Sequence, residues 1–370
     1  MAKYFIIAGE ASGDAHASAL MREIERRDHD ASFSGMGGDQ MEKAGCHLYR
    51  HIRHMAFMGF AAVMKHWHEV QTNFRIARHA IRTERPDVLI LIDYPSFNLR
   101  MAKFCRRHLP KTKIFYYIPP KVWAWKRRRI HAIARLCDEV LGIFPFEPDF
   151  YAKYGYSCTY VGNPTAEAID HLGQQQQSSE ARKPQIAILP GSRPSEITHC
   201  LPRMLDAAHC FKNYNVVICA APGIDDETYT PYLSAHDTLT RETYTTLLRS
   251  SAAIVNSGTA TLETALLGCP QVAVYHLACS RLIGLIRSWA QPLLFSITYF
   301  TLVNIISGKE VIKEYVANDF KVNNVANELG RILTDETYKK EMLASYEHLH
   351  ILLGSHHASA TAAKIITSRP

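Results

Sequence analysis

Short, unbroken apolar runs recur along this 370-residue chain, separated by polar or amphipathic stretches of helix length. "YFIIAG", "DVLILID", "KIFYYIP" and "EVLGIF" fall in the first half; "QIAILPG", "NVVICAAP", "AAIVNSG" and "QVAVYH" fall in the second. A strand with one wet face alternates apolar and polar residues, whereas a strand covered on both faces stays apolar throughout. Runs of this kind with helices between them read as parallel sheets wrapped on both faces. One such helix follows the first run directly: Leu20, Met21 and Ile24 of "DAHASALMREIERR" share a face.

The series is interrupted once. After "TYVGNP" comes "HLGQQQQSSEARKP", a glutamine-rich tract without apolar period, and then the apolar runs restart. The chain also exceeds what one hydrophobic core usually organises. The expected fold class is therefore α/β, with two doubly wound Rossmann-like domains facing a central cleft. Residues 1–172 form the first domain, 173–183 a polar linker and 184–345 the second domain. A C-terminal helix, 346–370, packs on its own domain, crosses back to the first, or is exchanged with a second subunit.

Composition excludes several classes. At 47% hydrophobic and 21% charged, the chain is an ordinary globular protein rather than a disordered one. Nine cysteines without a CxxC pair fit reduced, mostly buried thiols in a cytoplasmic protein. The N-terminus runs straight into "KYFIIAG" and lacks the pattern of a secretory signal. Ser288 to Gly308 carries no formal charge, but Gln291, Pro292 and Asn304 dilute it, so it reads as a buried or interfacial helix pair broken at Pro292. The net charge of +7 is concentrated in "KVWAWKRRRIHAIAR". Basic residues beside indoles suit nucleic acid, anionic headgroups or a phosphorylated ligand equally, and a solvated helix face is the plain alternative.

Ligands of open parallel sheets bind beyond the carboxyl ends of the strands, which directs attention to four turns. "AGEASGD" has Gly9 and Gly13 but no dinucleotide fingerprint, and Glu10 would repel a pyrophosphate; an acid there suits sugar hydroxyls or a reacting hydroxyl. Asp14, beside it, reads as an acid of its own helix's first turn. "LILIDYPSFN" ends a buried strand at Asp93, a well-held place for a carboxylate that accepts a proton. "LPGSRPSEI" joins a glycine turn, Gly191 and Ser192, to Arg193 and a helix start containing Glu196, which suits a departing diphosphate. "NSGTATLE" opens another helix: amides near Ser257, Gly258, Thr259, Ala260 and Thr261 can meet phosphate oxygens, and Glu263 can take both hydroxyls of a ribose. No metal site is expected, since "DHD" at Asp28 to Asp30 lies on a polar stretch and the histidines lack ligand spacing.

These motifs, with "VWAW" and "LVNIISGKEVIKE", stand in the order and spacing of the lipid-A-disaccharide synthases, which the chain resembles over nearly its whole length. The resemblance implies a glycosyltransferase-B fold. It implies an inverting, metal-independent transfer of 2,3-diacylglucosamine from its UDP conjugate to the 6-hydroxyl of 2,3-diacylglucosamine 1-phosphate, giving a β-1,6 disaccharide and UDP. By matching motif, Asp93 and Glu10 are the acids needed for activity, with Asp93 as base; Arg193 lies near the diphosphate, Ser257 to Thr261 and Glu263 hold the nucleotide, and Asn304 and Glu310 line the cleft. No cofactor and no nucleic acid are implied, whereas work at the inner face of the cytoplasmic membrane and a homodimer are. Phe57, Met58 and Phe60, with Trp123, Trp125, Lys126, Arg127, Arg128 and Arg129, then become candidates for an apolar patch with a cationic rim that meets acyl chains and headgroups.

The chain departs from the family pattern at Ser96, where many relatives carry a second acid, and at Pro120 and Lys121, where a serine motif is usual. Two rivals share the architecture: a UDP-sugar 2-epimerase, and a UDP-sugar-binding protein without activity. An NAD-dependent oxidoreductase ranks last for want of the glycine fingerprint.

Overall fold

A computed structural model describes residues 2–55, 67–124, 126–175, 182–276, 298–354 and 357–368. The chain forms two compact units, Met1–Glu167 with Ser355–Pro370, and Ala168–Gly354. Helix Pro164–Gln175 runs past residue 172 into the stretch read from sequence as linker, and a strand already starts at Lys183.

The first unit is built on seven parallel strands: β1 Lys3–Ala8, β2 Ser32–Gly37, β3 His47–His51, β4 Val88–Ile92, β5 Lys113–Tyr117, β6 Glu139–Gly142 and β7 Thr159–Tyr160, in the order β3-β2-β1-β4-β5-β6-β7. Among its central strands β4 is apolar at every position, and β1 and β5 are buried at every position after Lys3 and Lys113, because successive side chains enter two different cores. Phe5, Ile7, Leu89 and Leu91 pack on one face against Phe74, Phe97, Met101 and Ile133. Tyr4, Ile6, Val88 and Ile90 pack on the other against Leu20, Met21 and Ile24 of α1, Ala11–Glu25. Helix Ala358–Thr367 adds Ala362, Ala363 and Ile366 to that second core. Glu167 fastens it, accepting hydrogen bonds from the Ser359 Oγ at 2.6 Å and the Ser359 N–H at 3.2 Å.

The second unit repeats the plan with β8 Lys183–Leu189, β9 Asn215–Cys219, β10 Thr238–Thr240, β11 Ser250–Asn256, β12 Gln271–Tyr275 and β13 Glu314–Val316, all parallel, in the order β10-β9-β8-β11-β12-β13. In both sheets the order reverses beside the first strand, between β1 and β4 and between β8 and β11. Each reversal opens a crevice at the strand ends.

Candidate active site

All four turns singled out in the sequence lie at these two crevices. In the first unit, β1 leads into Gly9 and Glu10, and β4 leads into Asp93 and Tyr94. The turns touch: a Cβ on Gly9 would sit 2.3 Å from Cγ of the Tyr94 ring. Glu10 is the N-cap residue of α1, yet its side chain makes no capping hydrogen bond, and its charge lies close enough to Tyr94 to help burial raise that phenol's pKa.

Asp93 and Tyr94 both have left-handed backbones, with φ of 42° and 45°. Such a pair of non-glycine residues persists only where its surroundings over-determine it. Here the Asp93 carbonyl accepts from Asn98 Nδ2 at 2.7 Å and from the Tyr116 hydroxyl at 2.7 Å, while the Asp93 N–H donates to the Ile118 carbonyl at 3.2 Å. The Tyr94 hydroxyl donates to the Met55 carbonyl at 2.9 Å. The carboxyl group is thus set on a fixed backbone. Burial raises its pKa, while the Lys121 ammonium and the Tyr94 N–H oppose that rise.

Sequence reasoning marks Lys121 only as a departure from the family pattern, and it missed Glu147. Lys121 is open to solvent, but the protein around it lowers its pKa, and the carboxylates of Asp93 and Glu147 pull it back up. Glu147 is 1% exposed and accepts from the Ile143 N–H at 2.8 Å, the Phe144 N–H at 3.0 Å and Trp123 Nε1 at 3.3 Å. Burial lifts its pKa to about 7 against those donors and Lys121. In sequence it looked like any first-turn acid of a helix.

In the second unit the turn after β8 meets the end of β11. Gly191 has φ of 120°, and a Cβ there would lie 2.6 Å from both Asn256 Nδ2 and Glu196 Oε2. Only glycine fits. Helix Pro194–Ala208 starts at this turn with Arg193 as N-cap, and helix Thr259–Leu266 starts beside it with Gly258 as N-cap. Two helix starts therefore present N–H groups at one crevice, the arrangement that binds phosphate. Asn256, 4% exposed, has an Oδ1 without a partner among the described residues, and nothing in its sequence context marked it. Arg193 Nη1 pairs with Glu196 Oε1 at 2.9 Å, and Glu196 also accepts from the Ser192 N–H at 3.1 Å. Glu263, recessed one turn into the second helix, has a pKa raised by burial; burial and then the Glu263 charge push the Tyr244 phenol up to about 12.

Several expectations are corrected. Asp14 does stand in the first turn of α1, but its carboxylate serves a second helix, accepting from Gly38, Gln40 and Met41 N–H at 2.7, 2.9 and 3.1 Å. Trp123 is not a surface anchor but a core residue, 6% exposed and edge-on to Phe144 and Phe146. The Ser257 N–H is taken by the Val274 carbonyl at 2.8 Å, and the buried Thr261 hydroxyl by the Gly258 carbonyl at 2.9 Å. The bonded hydroxyl leaves the Thr261 amide untouched, so Gly258, Thr259, Ala260 and Thr261 supply the N–H groups of this helix start. Asn304 is fully buried; its Oδ1 accepts from Val311 and Ile312 N–H, and its Nδ2 donates to the Ile312 carbonyl and to Glu314. Glu314 also accepts from Phe300 and Thr301, so Asn304 shapes a turn instead of touching a ligand. Glu310 is exposed and paired with Lys313.

Of the basic stretch, Lys126, Arg127 and Arg128 are exposed, and Arg129 Nη2 donates to Ser96 Oγ at 2.9 Å. Phe57, Met58, Phe60 and Trp125 lie outside the described residues, as does 288–297 of the uncharged stretch. Among the described residues no helix is long and apolar enough to cross a membrane, and no group of three or more His, Cys, Asp or Glu is placed to hold a metal ion.

The family model described as Lipid-A-disaccharide synthetase matches residues 4–366. The lipid-A-disaccharide synthase of Trichlorobacter lovleyi is 33% identical over 379 residues, covering 99% of this chain and 97% of that one. Among solved structures, the glycotransferase of kitacinnamycin aligns with a TM-score of 0.64 at 10% identity, covering 100% of this chain and 99% of that one. The UDP-GlcNAc 2-epimerase from Neisseria meningitidis aligns with a TM-score of 0.59 at 11% identity, covering 99% of each chain. At such identities the likeness concerns the fold alone, the glycosyltransferase-B fold, which transferases and epimerases share.

Proposed function

The chain belongs to the lipid-A-disaccharide synthetase family, and on that premise we propose that Asp93 is the base of its transfer reaction, with the turns at Gly191–Arg193 and Gly258–Ala260 holding the departing diphosphate. The enzyme is a glycosyltransferase of lipid A biosynthesis. It moves 2,3-diacylglucosamine from its UDP conjugate to the 6-hydroxyl of 2,3-diacylglucosamine 1-phosphate. The family match favours this over the epimerase that the fold alone would also allow.

One observation supports the assignment most: each sheet carries its two candidate turns on either side of its own switch point. The Asp93 carboxylate takes the proton of the 6-hydroxyl as its oxygen attacks the anomeric carbon. The bond from that carbon to the diphosphate oxygen breaks, and its electron pair leaves with UDP. The guanidinium of Arg193 and the helix-start amides stabilise the charge that appears there. A single displacement inverts the anomeric centre. Glu10 binds a sugar hydroxyl, and Glu263 the ribose. Asn304 and Glu310 act on the site indirectly, through the turn they build. Peripheral attachment to the inner face of the cytoplasmic membrane, which the acyl chains of both substrates favour, and pairing into a homodimer complete the proposal.

The test is UDP release from the UDP-diacylglucosamine donor, with and without acceptor, by the parent and by Asp93→Asn. Acceptor-dependent release that falls by about 10²- to 10⁴-fold in the variant is expected of a lost general base. Equal release by both proteins removes Asp93 from that role, and release without acceptor dependence removes the assigned division of labour.

A further inference from the structure

The strands that flank the switch point of the second unit, β8 and β11, stay paired as far as Leu189 and Val255. Beyond that pair β8 turns away through Pro190 and Gly191, while β11 goes on to Asn256, which still pairs with Val274 of β12. Asn256 therefore stands where the strands part. Its Nδ2 lies 2.6 Å from the position that a Cβ on Gly191 would take, so the missing side chain at 191, where φ is 120°, is what leaves the amide room. The hydroxyls of Ser257 and Thr261 already donate to the Phe300 and Gly258 carbonyls, at 3.5 and 2.9 Å. Asn256 Oδ1, by contrast, is buried and has no partner among the described residues.

A buried amide in this state weakens the fold, because a desolvated acceptor without a donor is worse than an apolar side chain of the same shape. Packing gives no reason for an asparagine at the end of β11, whereas a ligand in the crevice does. We infer that Asn256 is a further binding residue for the departing group: its side-chain amide donates a hydrogen bond to a diphosphate oxygen of the UDP conjugate. The inference rests on the diphosphate lying at the turns of Gly191 and Gly258, as proposed above. Helix-start N–H groups, the Arg193 guanidinium and a neutral amide from the strand between them then meet one anion. The Glu196 carboxylate borders the same place, with Oε2 also 2.6 Å from the Gly191 Cβ position. It accepts from the Ser192 N–H at 3.1 Å and from Arg193 Nη1 at 2.9 Å, so its charge is matched there. The reverse orientation of the Asn256 amide would set Oδ1 beside that carboxylate, which favours Nδ2 at the turn. The orphaned Oδ1 is the consequence of turning the donor end that way.

The experiment is calorimetric titration of the parent, Asn256→Leu, Asn256→Ala and Asn256→Asp with UDP, and with uridine in competition, alongside their melting temperatures. Asn256→Leu, closest in shape, should bind UDP about tenfold more weakly, as expected for one lost hydrogen bond to a charged group. Its uridine affinity should stay at the parent value and its melting temperature should be no lower. Asn256→Ala repeats the loss without the apolar bulk, and Asn256→Asp should bind UDP more weakly still, because its carboxylate repels the diphosphate. UDP affinity within about twofold of the parent in both Asn256→Leu and Asn256→Ala overturns the inference. So does an equal loss for uridine, which lacks the diphosphate, and so does failure of both variants to fold, which would assign the amide to the fold. The tenfold step should persist when Asn256→Leu is made in Glu196→Gln; if it vanishes there, Asn256 acts only through Glu196 and the direct contact is overturned. Arg193→Ala separates the two levels: if it binds UDP as the parent does, or the parent binds UDP no better than uridine, the diphosphate is not held at these turns and the underlying reading fails first.

Discussion

The aromatic ring of Tyr94 occupies the space that a side chain on Gly9 would need, with its Cγ 2.3 Å from the position of that Cβ. Tyr94 follows Asp93 directly, and its hydroxyl reaches the Met55 carbonyl. Gly9→Ala must push the ring away and disturb the left-handed backbone on which the carboxylate sits. We expect about 1–3 kcal/mol of destabilisation from the overpacking and a loss of kcat larger than the loss of folded protein. Comparing kcat per active site with the melting temperature checks this.

Asp14 anchors backbone remote from it in sequence. Three backbone N–H groups at the start of helix Asp39–Lys43 depend on its carboxylate. Asp14→Ala leaves them without that acceptor, at a cost of about 2–4 kcal/mol. Denaturant unfolding should show that loss, while KM for both substrates in the folded protein stays at the parent value.

Arg193 offers the reverse case. Its pair with Glu196 is solvent-exposed on the arginine side, so removing it costs less than about 1 kcal/mol of stability. Its proposed work is on departing UDP. Arg193→Ala should lower kcat/KM by about 10²- to 10³-fold with little change in melting temperature, and Arg193→Lys should recover only part, because an ammonium cannot reproduce the planar fork. Full recovery by lysine would reduce the role of Arg193 to that of a point charge.

Glu147 makes stability depend on pH. Its pKa rises from 4.5 to about 7 on folding, chiefly through burial, so the folded protein holds its proton more tightly than the unfolded chain does. The associated stability is complete below pH 4.5 and disappears as pH climbs through about 7, a span worth roughly 3 kcal/mol. Glu147→Gln cannot ionise, and its contribution should be flat across that window. Melting curves at pH 5 and pH 8 for both proteins measure the difference.

Much of this architecture could be read from local pattern. "DVLILID" is a strand apolar on both faces, and Leu89 and Leu91 do enter a different core from Val88 and Ile90. Glu10, Asp93, Gly191 and Gly258 stood out because a glycine or an acid after an apolar run is locally conspicuous. What was hidden depends on contacts remote in sequence. Nothing near Asp14 points to the amides of Gly38 to Met41, and nothing near Glu147 reveals that Trp123 reaches it across 24 residues. Trp123 looked like a membrane anchor because an indole amid cations reads the same whether it points outward or inward. Asn304 looked like a ligand contact because the sequence does not disclose that its amide already has four partners.

The clasp between Glu167 and Ser359 spans 192 residues, and it sets a timetable for the newborn chain. A ribosome will have released all of Ala168–Gly354 before it delivers the helix that completes the core around Leu20 and Ile90. The second unit can thus mature during translation, while the unit carrying Glu10 and Asp93, although synthesised first, stays unfinished until its closing helix emerges.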